Sequence, residues 1–242
     1  MRASNLSFFL IMTKLLTAAL GLGLLSFTSC GSEQPAQAKG LTAGDPPAST
    51  AGFAPKDLSG LAQATFAGGC FWAQEEAFEQ IKGVKQVVSG YAGGTVANPS
   101  YEQVAAQNTG HTETVNIYYD PKVVSYQELA NIFFTASHDP TQLNRQGPDT
   151  GPEYRSAVFY RTPEEKKLVE QTIAKVNASK EYDSKIVTQV VPLTKFWPAE
   201  EYHQGYFRLH PENPYIAAVS AHKVEHVRQL FPQDLKANLP VL

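Results

Sequence analysis

Cysteine is the side chain here best suited to nucleophilic chemistry, and the chain holds two, Cys30 and Cys70. Cys70 stands in Ala67-Gly68-Gly69-Cys70-Phe71-Trp72, where a short strand runs into the first turn of a helix. The free N–H groups and dipole of a helix N-terminus favour an anion there. A thiol of ordinary pKa, about 8.5, is only ~3% ionised at pH 7, and lowering it by about 1.5 units makes it half thiolate. A lowered Cys70 pKa is therefore expected, with the two preceding glycines giving a tight turn that leaves the sulfur open. The competing reading is a buried, inert cysteine, since a lone Cys packs as a small apolar side chain. Cys70 with His111 or His203 has the parts of a cysteine hydrolase, but the accompanying Cys/His/Asn signature is missing. His222 and His226 are four residues apart, a spacing used by helix-borne metal ligands; no third ligand is in view and no metal is expected.

The elements that must position Cys70 read as alternating strands and helices. Residues 63–67 form a short strand and 71–81 a helix, with apolar residues at Phe71, Ala77, Phe78 and Ile81. Residues 84–91 are a strand ended by Gly93-Gly94. Residues 112–119 alternate Thr114, Asn116 and Tyr118 against Glu113, Val115, Ile117 and Tyr119, and stop at Asp120-Pro121. Ser125 with Glu128 three residues on is a capping box that opens a helix. Residues 156–160 are a strand, Thr162-Pro163-Glu164-Glu165 starts a helix with Pro at its first position, and residues 186–191 are the last strand. The first six elements have the β-α-β-β-α-β order of a split βαβ. The predicted class is α+β, a two-layer α/β sandwich with a ferredoxin-like core and long loops. The polar connection 139–155, with little order of its own, reads as a functional loop, and 209–242 as a solvated tail.

The ends and the composition set the context. The chain has 242 residues, 43% of them hydrophobic, which is enough for a real core. With 20 Lys plus Arg against 23 Asp plus Glu it lacks the basic footprint of a duplex nucleic-acid binder. Two cysteines supply neither a disulfide framework nor a four-ligand zinc site. Lys14, the apolar run 15–25 and the small residues before Cys30 form a signal peptide over 1–29, the run being too short to span a bilayer. Translation starts at Met1 or, giving a more compact signal, at Met12. Phe27-Thr28-Ser29-Cys30 resembles a bacterial lipoprotein box, which implies a lipid on Cys30 and an exported, membrane-anchored protein in the periplasm or at the cell surface. Residues 30–60, rich in Ala, Pro, Gly, Ser and Thr, read as a flexible tether to a folded domain over 61–242.

Gly69-Cys70-Phe71-Trp72 followed by Glu75 resembles the nucleophile motif of the A-type peptide methionine sulfoxide reductases. The likeness continues through Gly90-Tyr91-Ala92-Gly93-Gly94, Asn98-Pro99-Ser100-Tyr101, Gly110-His111-Thr112-Glu113 and His138-Asp139-Pro140-Thr141. It extends to Asn144-Arg145-Gln146-Gly147 with Asp149, Tyr154-Arg155-Ser156, Phe196-Trp197-Pro198 with Tyr202-His203-Gln204, and Asn213-Pro214-Tyr215. The resemblance implies reduction of the S epimer of protein-bound and free methionine sulfoxide, with Cys70 as nucleophile and Glu113 as acid. Tyr101 and Tyr154 would donate hydroxyls to the sulfoxide oxygen. Phe71 and Trp72 would form an apolar slot for the substrate methyl, and Asp149 would orient the substrate. Sulfoxide sulfur is electrophilic only when its oxygen is protonated or strongly hydrogen-bonded, so the chemistry needs these residue types. Many family members resolve the resulting sulfenic acid with a second Cys; nothing after Cys70 is Cys. No bound cofactor is expected, and the implied reductant is external, a small thiol or a thioredoxin-like protein.

Overall fold

The computed structural model describes residues 60–239. The signal peptide, Cys30 and most of the tether fall outside the described residues. No helix among the described residues is long and apolar enough to cross a membrane.

Strand β1 (Ala62–Gly68) lies inside a six-stranded sheet, paired antiparallel to β3 (Thr112–Tyr119) and to β6 (Ser156–Tyr160). Strand β2 (Val84–Ala92) pairs antiparallel with β3, so β6, β1, β3 and β2 lie side by side in the order of a split βαβ. Two edges extend this core. Strand β7 (Gln189–Pro192) adds parallel to β6, and β8 (Phe196–Pro198) adds antiparallel to β2. The predicted α+β sandwich is thus the observed fold. The last predicted strand starts three residues late because Ile186 N–H donates to Asn177 Oδ1 and Val187 N–H to the Pro140 carbonyl, away from the sheet.

Helix α1 (Phe71–Glu79) packs on β1, β2 and β3 and brings Phe71, Ala77 and Phe78 into the main core. That core holds Phe66, Val115, Ile117 and Val158, the alternate residues of three adjacent strands. Their neighbours Ala67, Ala157 and Phe159 face the other way into a smaller cluster with Ala92. Glu113 shares the parity of Val115 and Ile117, so it faces the helical layer and is buried. Helix α3 (Tyr126–Ile132) starts at the expected Ser125 capping box and continues as a π-helical turn, Phe133–Ser137, a widening often found near functional sites. Helix α4 (Pro163–Ser179) starts at Thr162, whose hydroxyl accepts from Glu165 N–H.

Three parts depart from expectation. Helix α2 (Tyr101–Ala105) was not anticipated, although Ser100 and Gln103 form a complete capping box. The loop 139–155 is well ordered by a small hairpin of β4 (Arg145–Gln146) and β5 (Asp149–Thr150), a 3-10 turn over Pro152–Tyr154, and Asp139, whose carboxylate accepts from Thr141 and Gln142. The presumed solvated tail is a packed part of the domain. After the single-turn α5 (Tyr206–Leu209) and a π-turn over Ile216–Ser220, α6 (Ala221–Leu230) buries Val224 and Val227 against α1.

Gly69 has φ +85°, and an added Cβ would lie 2.6 Å from Cβ of Gln146. Gly69→Ala should cost roughly 1–2 kcal/mol for the left-handed backbone and about 1–3 more for the overlap. In thermal denaturation the midpoint should fall by about 5 °C or more; an unchanged midpoint would mean the turn has another way to form.

Candidate active site

Cys70 is the N-cap of α1, and its neighbours come from the ends of several elements. Glu113 reaches up from the start of β3, and its Oε2 accepts the Phe71 N–H at 3.0 Å. Tyr101 is the first residue of α2 and Tyr154 closes the 3-10 turn, both facing the same space. Cys70, Phe71, Trp72, Tyr101, Glu113, Asp149 and Tyr154, all singled out from the sequence, line one cavity of about 160 Å³. Tyr215 is its eighth wall and was not foreseen as a site residue. Its hydroxyl donates to Asp149 Oδ2 at 2.6 Å, which ties β5 to the C-terminal segment. The only cue was its place in Asn213-Pro214-Tyr215.

The aromatic side of the cavity is fixed from behind. Trp72 stacks on Tyr206 with ring centroids 4.0 Å apart, and its indole N–H donates to His203 Nδ1 at 3.1 Å. His203 is buried, which pushes its pKa down to about 4, so it stays neutral with its proton on Nε2. Glu200 accepts from the Tyr101 N–H at 2.8 Å and the Tyr91 hydroxyl at 2.9 Å. Gln204 makes three bonds to the backbone of Ser89 and Ala199. Glu75, one turn after Cys70, accepts from the Ser89 hydroxyl and the Gly205 N–H, and burial raises its pKa to about 7. Apart from the Glu75–Ser89 and Gln204–Ala199 bonds, these join α1, β2 or α2 to residues about a hundred or more positions later.

Electrostatics overturn the expected thiolate. Burial, reinforced by Glu113, pushes the Cys70 thiol up to about 12, outweighing the bond from the Trp72 N–H that favours the anion. Burial also pushes Glu113 up to about 8 despite its bond from Phe71 N–H. The resting pair is therefore a neutral thiol beside a neutral carboxylic acid. Burial likewise raises Tyr101 to about 12 and Tyr154 and Tyr215 further, so all three remain hydroxyl donors.

The other constellations come apart. His111 Nδ1 accepts from Gly94 N–H and its Nε2 faces the Val96 carbonyl, while His203 serves Trp72, so neither is bonded to Cys70 as a hydrolase base. His226 lies 3.0 Å from the Ala136 carbonyl. No group of three metal-ligating side chains occurs among the described residues.

An acid held neutral beside a nucleophilic sulfur, with tyrosine hydroxyls and an aromatic wall, defines a thiol-based oxidoreductase that acts on a small, partly apolar group. The sequence model of the family described as peptide methionine sulfoxide reductase matches residues 62–235. The chain is 47% identical over 183 residues to peptide methionine sulfoxide reductase MsrA 1 of Rhodopirellula baltica, covering 76% of this chain and 94% of that one. It is 46% identical to MsrA 2 of a Synechocystis species, over 74% and 83% of the two chains. Among solved structures, reduced Mxr1 of Saccharomyces cerevisiae aligns with a TM-score of 0.59 and 32% identity, over 66% of this chain and 91% of that one. Methionine sulfoxide reductase A of Corynebacterium diphtheriae aligns at 0.57 and 34%, over 63% and 76%. The chain belongs to the peptide methionine sulfoxide reductase family and is an enzyme of the A type.

Between pH 4.5 and about 8 the folded protein keeps a proton on Glu113 that the unfolded chain has released. The stability linked to this group is complete at low pH and is lost as pH rises through about 8. Glu113→Gln keeps an acceptor for Phe71 N–H without the titration. Its melting temperature relative to wild type should therefore be higher at pH 8 than at pH 5. A difference independent of pH would show that Glu113 is not held neutral.

Proposed function

We propose that the enzyme reduces the S epimer of protein-bound and free methionine sulfoxide through a sulfenic acid on Cys70. The observation that carries this reading is the neutral Glu113 carboxyl bonded to the Phe71 N–H, one residue from the Cys70 sulfur, in a cavity walled by Phe71 and Trp72. The sulfoxide methyl sits against the two aromatic rings. Its oxygen faces the hydroxyls of Tyr101 and Tyr154 and the acid, and Asp149, held by Tyr215, orients the substrate.

In the reaction, Glu113 gives its proton to the sulfoxide oxygen as the Cys70 sulfur attacks the substrate sulfur, and the thiol proton returns to Glu113. The transient bond between the two sulfurs then breaks as the oxygen, with its proton, passes from the substrate sulfur to Cys70. Methionine departs two electrons reduced, and Cys70 is left two electrons oxidised as sulfenic acid. Two external thiols, from a small thiol or a thioredoxin-like protein, then restore Cys70 and yield water and their own disulfide. An external donor is supported by the sequence, in which no cysteine follows Cys70 and Cys30 is taken up by the lipid in this reading. A protonated acid stabilises the oxygen as charge develops there, which is the state a raised Glu113 pKa provides.

We also assign the protein to the periplasm or the cell surface of a bacterium, anchored to a membrane by a lipid on Cys30 and tethered through residues 31–60, as a repair enzyme for exported proteins. The support is the apolar run 15–25 and the small-residue box before Cys30.

Purified domain should consume S-sulfoxide and spare R-sulfoxide when each is supplied separately with excess dithiothreitol. Cys70→Ser should abolish turnover, and Glu113→Gln should lose kcat more than KM. Appreciable turnover by Cys70→Ser would end the sulfenic acid mechanism. Expressed in full in a bacterial host, the chain should fractionate with membranes and Cys30→Ser should not; equal partition of both would remove the lipid anchor.

A further inference from the structure

Lys223 lies on α6, and its Nζ is shut off from solvent with no hydrogen-bond partner among the described residues. An unpaired ammonium in a dry site costs several kcal/mol, a cost that an anion formed nearby would offset. Its location is specific. A methyl built on Gly69, the residue before Cys70, would lie 3.6 Å from this Nζ. The ammonium therefore sits over the peptide that leads into the nucleophile, on a side that does not line the substrate cavity.

The groups around it are neutral at rest. His138, on the same side, is bonded at Nδ1 to the Phe133 carbonyl and at Nε2 to the Ser156 hydroxyl, and burial holds its pKa down near 3. Lys223 opposes a charge on His138 and favours the ionised forms of Cys70 and Glu113. The sulfur is also faced by Tyr215, Tyr101 and Tyr154, with the carboxylates of Asp149 and Glu153 behind them. Among these the lysine is the one cation acting on the sulfur. Everything else near it, apart from hydrogen-bond donors, opposes a negative charge.

Resting on the reductase reading above, we propose that Lys223 is a positioning residue for the nucleophile, the built-in counter-charge for the anion that forms at the Cys70 sulfur in turnover. The helix that carries it, α6, comes from the C-terminal segment and packs against α1, which Cys70 caps. The thiol proton leaves for Glu113 or solvent.

The test compares wild type with Lys223→Met, Lys223→Gln and Lys223→Arg. The rate at which iodoacetamide alkylates Cys70 is followed against pH, beside the pH dependence of methionine release in a single turnover. Alkylation needs no sulfoxide, so failure of wild type to turn over would strike the reductase reading and leave this one standing. Loss of the charge should move the alkylation midpoint up by about one pH unit, a roughly tenfold slower reaction at pH 8, and Lys223→Arg should restore it. Profiles of the neutral variants that superimpose on wild type would overturn the proposal and leave Lys223 a packing residue. A shift in the turnover profile with alkylation unmoved would overturn it too, assigning the charge to Glu113. Lys223→Gln carries the expectation should Lys223→Met not fold.

Discussion

A carboxyl group has to stay dry enough to hold a proton at neutral pH while lying beside the sulfur it serves, and the domain is arranged around that requirement. Glu113 meets it by parity, because the same alternation that turns Val115 and Ile117 inward turns Glu113 into the helical layer at the end of β3. One donor, the Phe71 N–H, fixes its position without supplying enough stabilisation to ionise it. The same N-terminal turn of α1 presents Cys70. Acid and nucleophile are thus set by a single strand–helix contact, and the central strands β1 and β3 that carry them are the most enclosed in the sheet.

The second half of the chain acts mainly as a brace. Glu75, Glu200 and Gln204 join the front of the site to the segment 198–206 through buried bonds to Ser89, Tyr91, Tyr101 and Gly205. His203 holds the Trp72 indole from behind, and Tyr206 lies flat against it. These buried polar groups are satisfied by partners far away in sequence, so the rear wall is rigid only when the whole domain is assembled.

How far the sequence reveals this follows from the range of the forces involved. The strands and helices of the split βαβ are written locally, in the alternation of β3, the capping box at Ser125 and the N-cap at Thr162, and these were legible. So was the set of residues that gather around the cavity, through a motif likeness. The hairpin at 145–150, the bracing segment and α6 rest on side-chain bonds to distant backbone and on tertiary burial, which leave no periodic trace. The Ser100–Gln103 box was local and legible and went unread. The ionisation state of Cys70 went the other way from expectation because a helix N-terminus acts over one turn, whereas the degree of burial is a property of the finished fold.

The first helix and the last long one are neighbours, although some 140 residues separate them. A chain made from its N-terminus therefore exposes Cys70 well before Tyr215, Lys223 or the Trp72 support exist. Until the final segment emerges, Cys70 has its acid and its two aromatic neighbours in the chain, but not the groups that hold the Trp72 ring or the Tyr215 wall of the cavity. The cavity is therefore closed last at its rear, and a chain clipped before the tail keeps the sulfur and the acid but loses the wall that holds them to one geometry.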